Sequence, residues 1–103
     1  FCYLADTVAA AFKVLLDAPS GEVYNVGNEN CQSDMNNLAS ILVNLSANSK
    51  VSIKRHCDVE ANYLQSNNNK IVPDTSKLKI LGWSPEYNLN DGFLRTINSY
   101  VHK

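Results

Sequence analysis

The stretch Pro73–Phe93, reading PDTSKLKILGWSPEYNLNDGF, decides how this chain folds. Asp74 can accept from the backbone N–H groups of Ser76 or Lys77, and Pro73 cannot continue a helix backwards, so a helix starts here. Leu78 and Leu81 recur three apart on one side with Ile80 beside them, while Lys77 and Lys79 point elsewhere. Gly82 can take positive φ just past the last turn, which ends the helix after about two turns. Trp83 follows at once and Pro85 prevents resumption, so a large flat side chain sits at a fixed corner before another helix begins near Leu89. The spacing predicts a packed corner. It carries no chemistry by itself.

Working outward, Leu89, Phe93, Ile97, Tyr100 and Val101 form one stripe on a terminal helix that Asn88 can cap. Gly92 inside it costs about 1 kcal/mol relative to Ala, which implies close packing against another element. Near the start, Asp6 precedes VAAAFKVLL, with Val8, Ala11, Phe12, Leu15 and Leu16 at helical spacing and Pro19-Ser20-Gly21 as the break; Asp6 is read as the cap. Glu22 to Val26, between Gly21 and Gly27-Asn28, reads as a buried strand. Ser33 or Asp34 can cap the next helix, whose face is Met35, Leu38, Ile41, Leu42 and Leu45. Val51-Ser52-Ile53 reads as a second short strand. From Arg55 to Lys70 the periodicity disappears, and Ser66-Asn67-Asn68-Asn69-Lys70 has the composition of a solvated loop.

With 103 residues the chain is one domain with a marginal core. A net charge of −1 with 45% hydrophobic residues gives no electrostatic reason to expect nucleic acid or an anionic membrane as partner. The apolar runs Val8 to Leu16 and Ile41 to Leu45 fall far short of the roughly 20 residues that span a bilayer. Without a signal-like start or an initiating Met, the chain reads as a piece of something longer. Three widely spaced cysteines, Cys2, Cys31 and Cys57, suit a reducing compartment, so a cytoplasmic setting is expected. Asn44-Leu45-Ser46 matches a glycan acceptor pattern but lies inside a predicted helix.

The combination D-x-S-K-x-x-x-L-G-W-x-P, followed by a helix carrying GF-x-x-T-I-x-x-Y, resembles the C-terminal end of NAD-dependent nucleotide-sugar epimerases and dehydratases of the extended short-chain dehydrogenase/reductase family. FCYLAD at the start resembles that family's F-x-Y-V-x-D, and GEVYNVGN resembles its GE-x-YN-x-G segment. The three motifs stand in the family's order and span nearly the whole chain. The resemblance implies an α+β fold, with about four helices and two short strands, forming the small C-terminal substrate lobe of such an enzyme without its Rossmann sheet. Residues 1–103 are then a single substrate-binding domain fragment whose N-terminal dinucleotide-binding domain lies elsewhere. The activity implied is hydride transfer between a nucleotide sugar and NAD, in a homodimeric full-length enzyme. The rival reading is a free-standing binding or interaction module without enzymatic role.

Gly21, Gly27, Gly82 and Gly92 are isolated and G-x-G-x-x-G is absent, so a dinucleotide has no recognisable seat here. The family's catalytic Tyr-x-x-x-Lys is absent too: the residues four after Tyr3, Tyr24, Tyr63 and Tyr87 are Thr7, Asn28, Asn67 and Asp91. The fragment alone is therefore expected to be inactive, with no catalytic or cofactor-binding residue of its own. His56-Cys57-Asp58 reads as a solvated or half-buried loop, because adjacent ligands diverge and structural zinc needs about four. His102 at a helix end suits a cation-to-dipole contact. Asp6 and Asp74 are assigned to capping, and Asn25, after Tyr24, to backbone hydrogen bonding. In the family an arginine shortly before F-x-Y grips the diphosphate and the start of the second helix faces the nucleotide. Phe1, beside that position, and Asp34 are the substrate-facing candidates the resemblance implies, although an Asp there would repel a diphosphate. A second family arginine, in the loop before PD-x-SK, is missing from YLQSNNNKIV, where Lys70 or Arg55 could substitute.

Overall fold

A computed structural model describes residues 1–47, 50–56 and 71–101. Four helices follow one another: α1 (Leu4–Asp17), α2 (Met35–Leu45), α3 (Ser76–Ile80) and α4 (Leu89–Val101). The described residues contain no strand, which corrects the α+β expectation: their regular structure is entirely helical. Glu22–Val26 and Val51–Ile53 have the β-forming composition expected of strands, but a strand exists through its ladder, and no described segment pairs with either. The first of them instead gives its polar groups to α3. Lys77 Nζ donates to the Val23 carbonyl at 3.0 Å, pairs with the Glu22 carboxylate and stacks over the Tyr24 ring.

The capping chemistry is largely local. Asp34 Oδ1 accepts from the Asn37 amide at 2.7 Å, and Asn88 Oδ1 from the Asp91 amide at 2.8 Å. Asp74 Oδ1 accepts from the Ser76 amide at 3.0 Å, so α3 starts one residue after its N-cap Thr75. Gly82 closes α3 at φ 100°, with its amide donating to the Lys79 carbonyl at 2.9 Å. Asp6 departs from the expectation. Helix α1 begins at Leu4, so Asp6 lies inside its first turn and caps nothing on its own helix.

The packed corner is present. Trp83, Leu78 and Ala10 form the buried cluster, with Val14, Tyr24 and Leu81 against it, whereas Ile80 faces solvent. Gly92 is buried because a Cβ there would stand 3.1 Å from the Tyr3 ring. Around this small core the molecule is extended. Its surface is 8547 Å², against about 5800 Å² expected for a compact monomer of this mass. On α1, Leu4, Val8, Phe12, Leu15 and Leu16 are all exposed. Among the described residues no helix is long and apolar enough to cross a membrane.

Candidate functional site

The corner at Trp83 is fastened to α1 by polar groups far apart in sequence. Trp83 Nε1 donates to the Asp6 carbonyl at 3.0 Å, while the Asp6 carboxylate accepts from the Glu86 amide at 3.0 Å and the Tyr87 amide at 3.1 Å. Asp6 is 3% exposed, and a carboxylate buried that far needs such partners. The segment after Trp83 is thereby fixed, and it passes its order on. Its Tyr87 carbonyl accepts from Asn28 Nδ2 at 2.9 Å and from the Cys31 thiol at 3.6 Å.

Those bonds hold the segment from Asn28 to Asp34, which forms one wall of a cleft of about 630 Å³. Both substrate-facing candidates line it. Phe1 enters from the chain start, where its backbone nitrogen donates to the Cys31 carbonyl at 3.1 Å and its ring meets Phe93 edge-on at 6.3 Å. Asp34 enters from the start of α2, its carboxylate engaged by the Asn37 amide and, at 3.4 Å, by Asn37 Nδ2. Gly27 and Pro73 also line the cleft, in direct contact: a Cβ on Gly27 would fall 2.4 Å from Pro73 Cγ.

The cleft is polar but scarcely charged. Asn28, Gln32, Ser33 and Asn37 line it with amide and hydroxyl groups, and Asp34 is the charged side chain among the described lining residues. Such a surface suits hydroxyl-bearing or amide-bearing ligands by hydrogen bonding. Burial pushes the Cys31 thiol up, which makes it a packing group and a weak nucleophile. Below the wall, the Glu29 carboxylate accepts from Thr75 Oγ1 at 2.7 Å, from the Thr75 amide at 3.4 Å and from Lys79 Nζ at 3.0 Å. The Thr75 hydroxyl, then Lys79, hold its carboxyl below the usual glutamate range.

Among the described residues, the other candidates do not line the cleft. Asn25 Nδ2 donates to the Asp74 carbonyl at 3.2 Å, a backbone partner as expected, from an exposed position. The hydroxyl and amide of Ser76 hold the Asp74 carboxyl low. Arg55 is exposed, while Lys70, His102 and the Cys57-Asp58 part of the possible metal group lie outside the described residues. Among the described residues no group of three or more His, Cys, Asp or Glu could hold a metal ion. Sequence reasoning missed Asn28, Glu29, Gln32 and Asn37. The signal for the first three was a run of polar residues between Gly27 and Asp34, without the periodicity that marks a helix face; Asn37 lies on the first turn of α2, beside its cap.

No protein-family model matches the chain, and no solved structure matches it. Human dTDP-D-glucose 4,6-dehydratase is 30% identical over 102 residues, a match that covers 97% of this chain and 29% of the human protein. The chain thus spans less than a third of the length of the curated relative it matches. What the identity supports is a distant, partial relationship to a nucleotide-sugar dehydratase.

Proposed function

We propose that this chain is the substrate-covering part of an NAD-dependent nucleotide-sugar dehydratase or epimerase. One observation carries the reading: the FCYLAD start, the GEVYNVGN segment and the residues just before D-x-S-K, far apart in sequence, line one cleft. Phe1, Gly27 and Pro73 come from three separate stretches and line it together with Asp34. The similarity to the human dehydratase supports the same direction. Within the reading, Phe1 and Asp34 contact the nucleotide sugar, and the side-chain amides of Gln32 and Asn37 hydrogen-bond its hydroxyls.

The residues of this chain do not fit the dinucleotide. Two glycines that could bring a backbone close to a phosphate are spent on packing, Gly27 against Pro73 and Gly92 against Tyr3. NAD and the tyrosine–lysine acid/base pair are accordingly assigned to sequence beyond these 103 residues, and the chain's own share is binding, orientation and exclusion of water. The test is calorimetric titration of the intact gene product with UDP-, dTDP-, GDP- and CDP-sugars. Saturable binding of at least one, weakened by Phe1→Ala, is expected. Failure to bind any of them, or an upstream coding sequence without G-x-G-x-x-G and Tyr-x-x-x-Lys, overturns the reading in favour of a free-standing binding module.

A further inference from the structure

Between Gly27 and the start of α2 the chain runs for a full cleft wall without helical hydrogen bonds of its own, so its shape is set by what it is hung from. Three attachments are visible. Asn28 hangs on the Tyr87 carbonyl, the Cys31 carbonyl on the Phe1 backbone nitrogen, and Glu29 on the first turn of α3. The third differs in kind. Glu29 gathers three donors into one carboxylate, two from Thr75 and one from Lys79, and Thr75 is 1% exposed. Its own carbonyl meanwhile accepts from Gln32 Nε2 at 2.7 Å, which places the Gln32 side chain on the wall. A single residue therefore joins the buried base of α3 to a side chain that lines the cleft.

We propose that Glu29 is a positioning residue for the ligand, one that does not touch the ligand and sets the placement of Gln32, Ser33 and Asp34. The inference rests on the functional reading above. Its physical basis is that a wall of short polar side chains recognises hydroxyls only while held within a fraction of an ångström, and displacement of about 1 Å costs up to about a hundredfold in the function served. A fold that needed Glu29 for stability alone would show a different pattern. The core cluster of Ala10, Leu78 and Trp83 and the Asp6 attachment do not pass through Glu29, so they persist without it.

The experiment uses the intact gene product with dTDP-glucose as probe, and compares wild type, Glu29→Ala, Glu29→Gln and Thr75→Val well below their melting temperatures. Glu29→Ala and Thr75→Val are expected to weaken binding about tenfold, in keeping with a displacement smaller than 1 Å. Glu29→Gln retains one acceptor oxygen for Thr75 and recovers part of that loss. In turnover the loss appears in KM, with kcat changed less than threefold. Hydrogen exchange is measured in parallel: the amides of Asn30, Cys31 and Asn37 exchange faster in Glu29→Ala, while that of Trp83 is unchanged. Unaltered affinity in the variants beside a binding wild type refutes the positioning role and leaves the functional reading standing. Uniformly faster exchange that includes Trp83 refutes it as well, by making Glu29 a general stabiliser. A wild type that does not bind dTDP-glucose while binding another nucleotide sugar shifts the probe to that sugar, with the same comparison deciding; a wild type that binds none sinks both proposals together.

Discussion

Replacing Asp6 is the sharpest available test of how this fold is held. Its carboxylate is 3% exposed and accepts two backbone amides, from Glu86 and Tyr87, across some eighty positions of sequence. A hydrogen bond to a charged acceptor contributes about 1.5–3 kcal/mol, and a buried donor left unpaired costs about 1–3 kcal/mol. Glu86 and Tyr87 are not fully buried, so water recovers part of what each amide loses. Asp6→Ala is therefore expected to cost about 3 kcal/mol, at the low end of the sum for two such bonds. Asp6→Asn keeps one acceptor oxygen and turns an N–H toward the other amide, so about half that cost follows. For a chain of this size 3 kcal/mol lowers Tm by about 12 °C or more. The readout is built in, because Trp83 is the sole tryptophan of the chain and donates to the Asp6 carbonyl. Denaturant melts followed by its fluorescence give the free energy directly. An Asp6→Ala protein within about 0.5 kcal/mol of wild type, the range of ordinary surface changes, refutes the attachment.

Gly27→Ala places a methyl 2.4 Å from Pro73 Cγ and is expected to destabilise by about 1–3 kcal/mol, with Pro73→Ala in the same chain recovering most of it. A double-mutant cycle without coupling would show that the contact is not made. Glu29, facing Thr75 and Lys79, and Asp74, facing Ser76 and Lys79, both have folded pKa values below their ordinary 4.5 and 3.8. The unfolded chain then binds the proton more readily, so their stabilisation is complete above those values and lost as pH falls through the lower folded ones. Midpoints of denaturant unfolding measured against pH should decline on that acid side, less steeply in Glu29→Gln; an acid-side rise contradicts the assignment. Leu15 and Leu16, 75% and 76% exposed, sit on the apolar face of α1, so the 103-residue chain is expected to self-associate, and Leu15→Glu with Leu16→Glu to reverse it in sedimentation velocity. A wild-type chain that stays monomeric at all concentrations speaks against that.

What was legible in the sequence is what is settled within a few residues. Asp34, Asp74 and Asn88 bond to amides two or three positions on, and Gly82 closes the helix it follows, so residue type and spacing sufficed. The apolar face of α1 was legible for the same reason, since periodicity is local. Asp6 shows the limit. An acid before a helical run reads as a cap, yet its donors come from beyond Pro85, and no pattern near Asp6 announces them. The strands failed in the opposite direction. Val23, Val26, Val51 and Ile53 have the right propensity, but propensity describes fit to a pleated surface, and the surface must come from a partner that no described segment supplies. Phe1 and Asp34 were singled out by resemblance, and nothing local indicated that they face one cleft.

The balance of forces explains why the cleft and the corner belong to one problem. Five apolar residues are buried in the described structure, too few for side-chain packing to carry the fold as it does in compact domains. Order is passed instead along a polar chain: Asp6 sets the Glu86 and Tyr87 backbone, the Tyr87 carbonyl sets Asn28 and Cys31, and Cys31 sets Phe1. Hydrogen bonds are directional where apolar contacts are not, so such a chain fixes positions better than it stabilises. That is the property a binding wall requires. It follows that damage at Asp6, far from the cleft in sequence, should reach Phe1 and Asn28 before the Ala10–Leu78–Trp83 cluster melts. Hydrogen exchange in Asp6→Asn settles the order: early exposure of the Cys31 amide with Trp83 still protected supports transmission along the chain, and simultaneous loss of both refutes it.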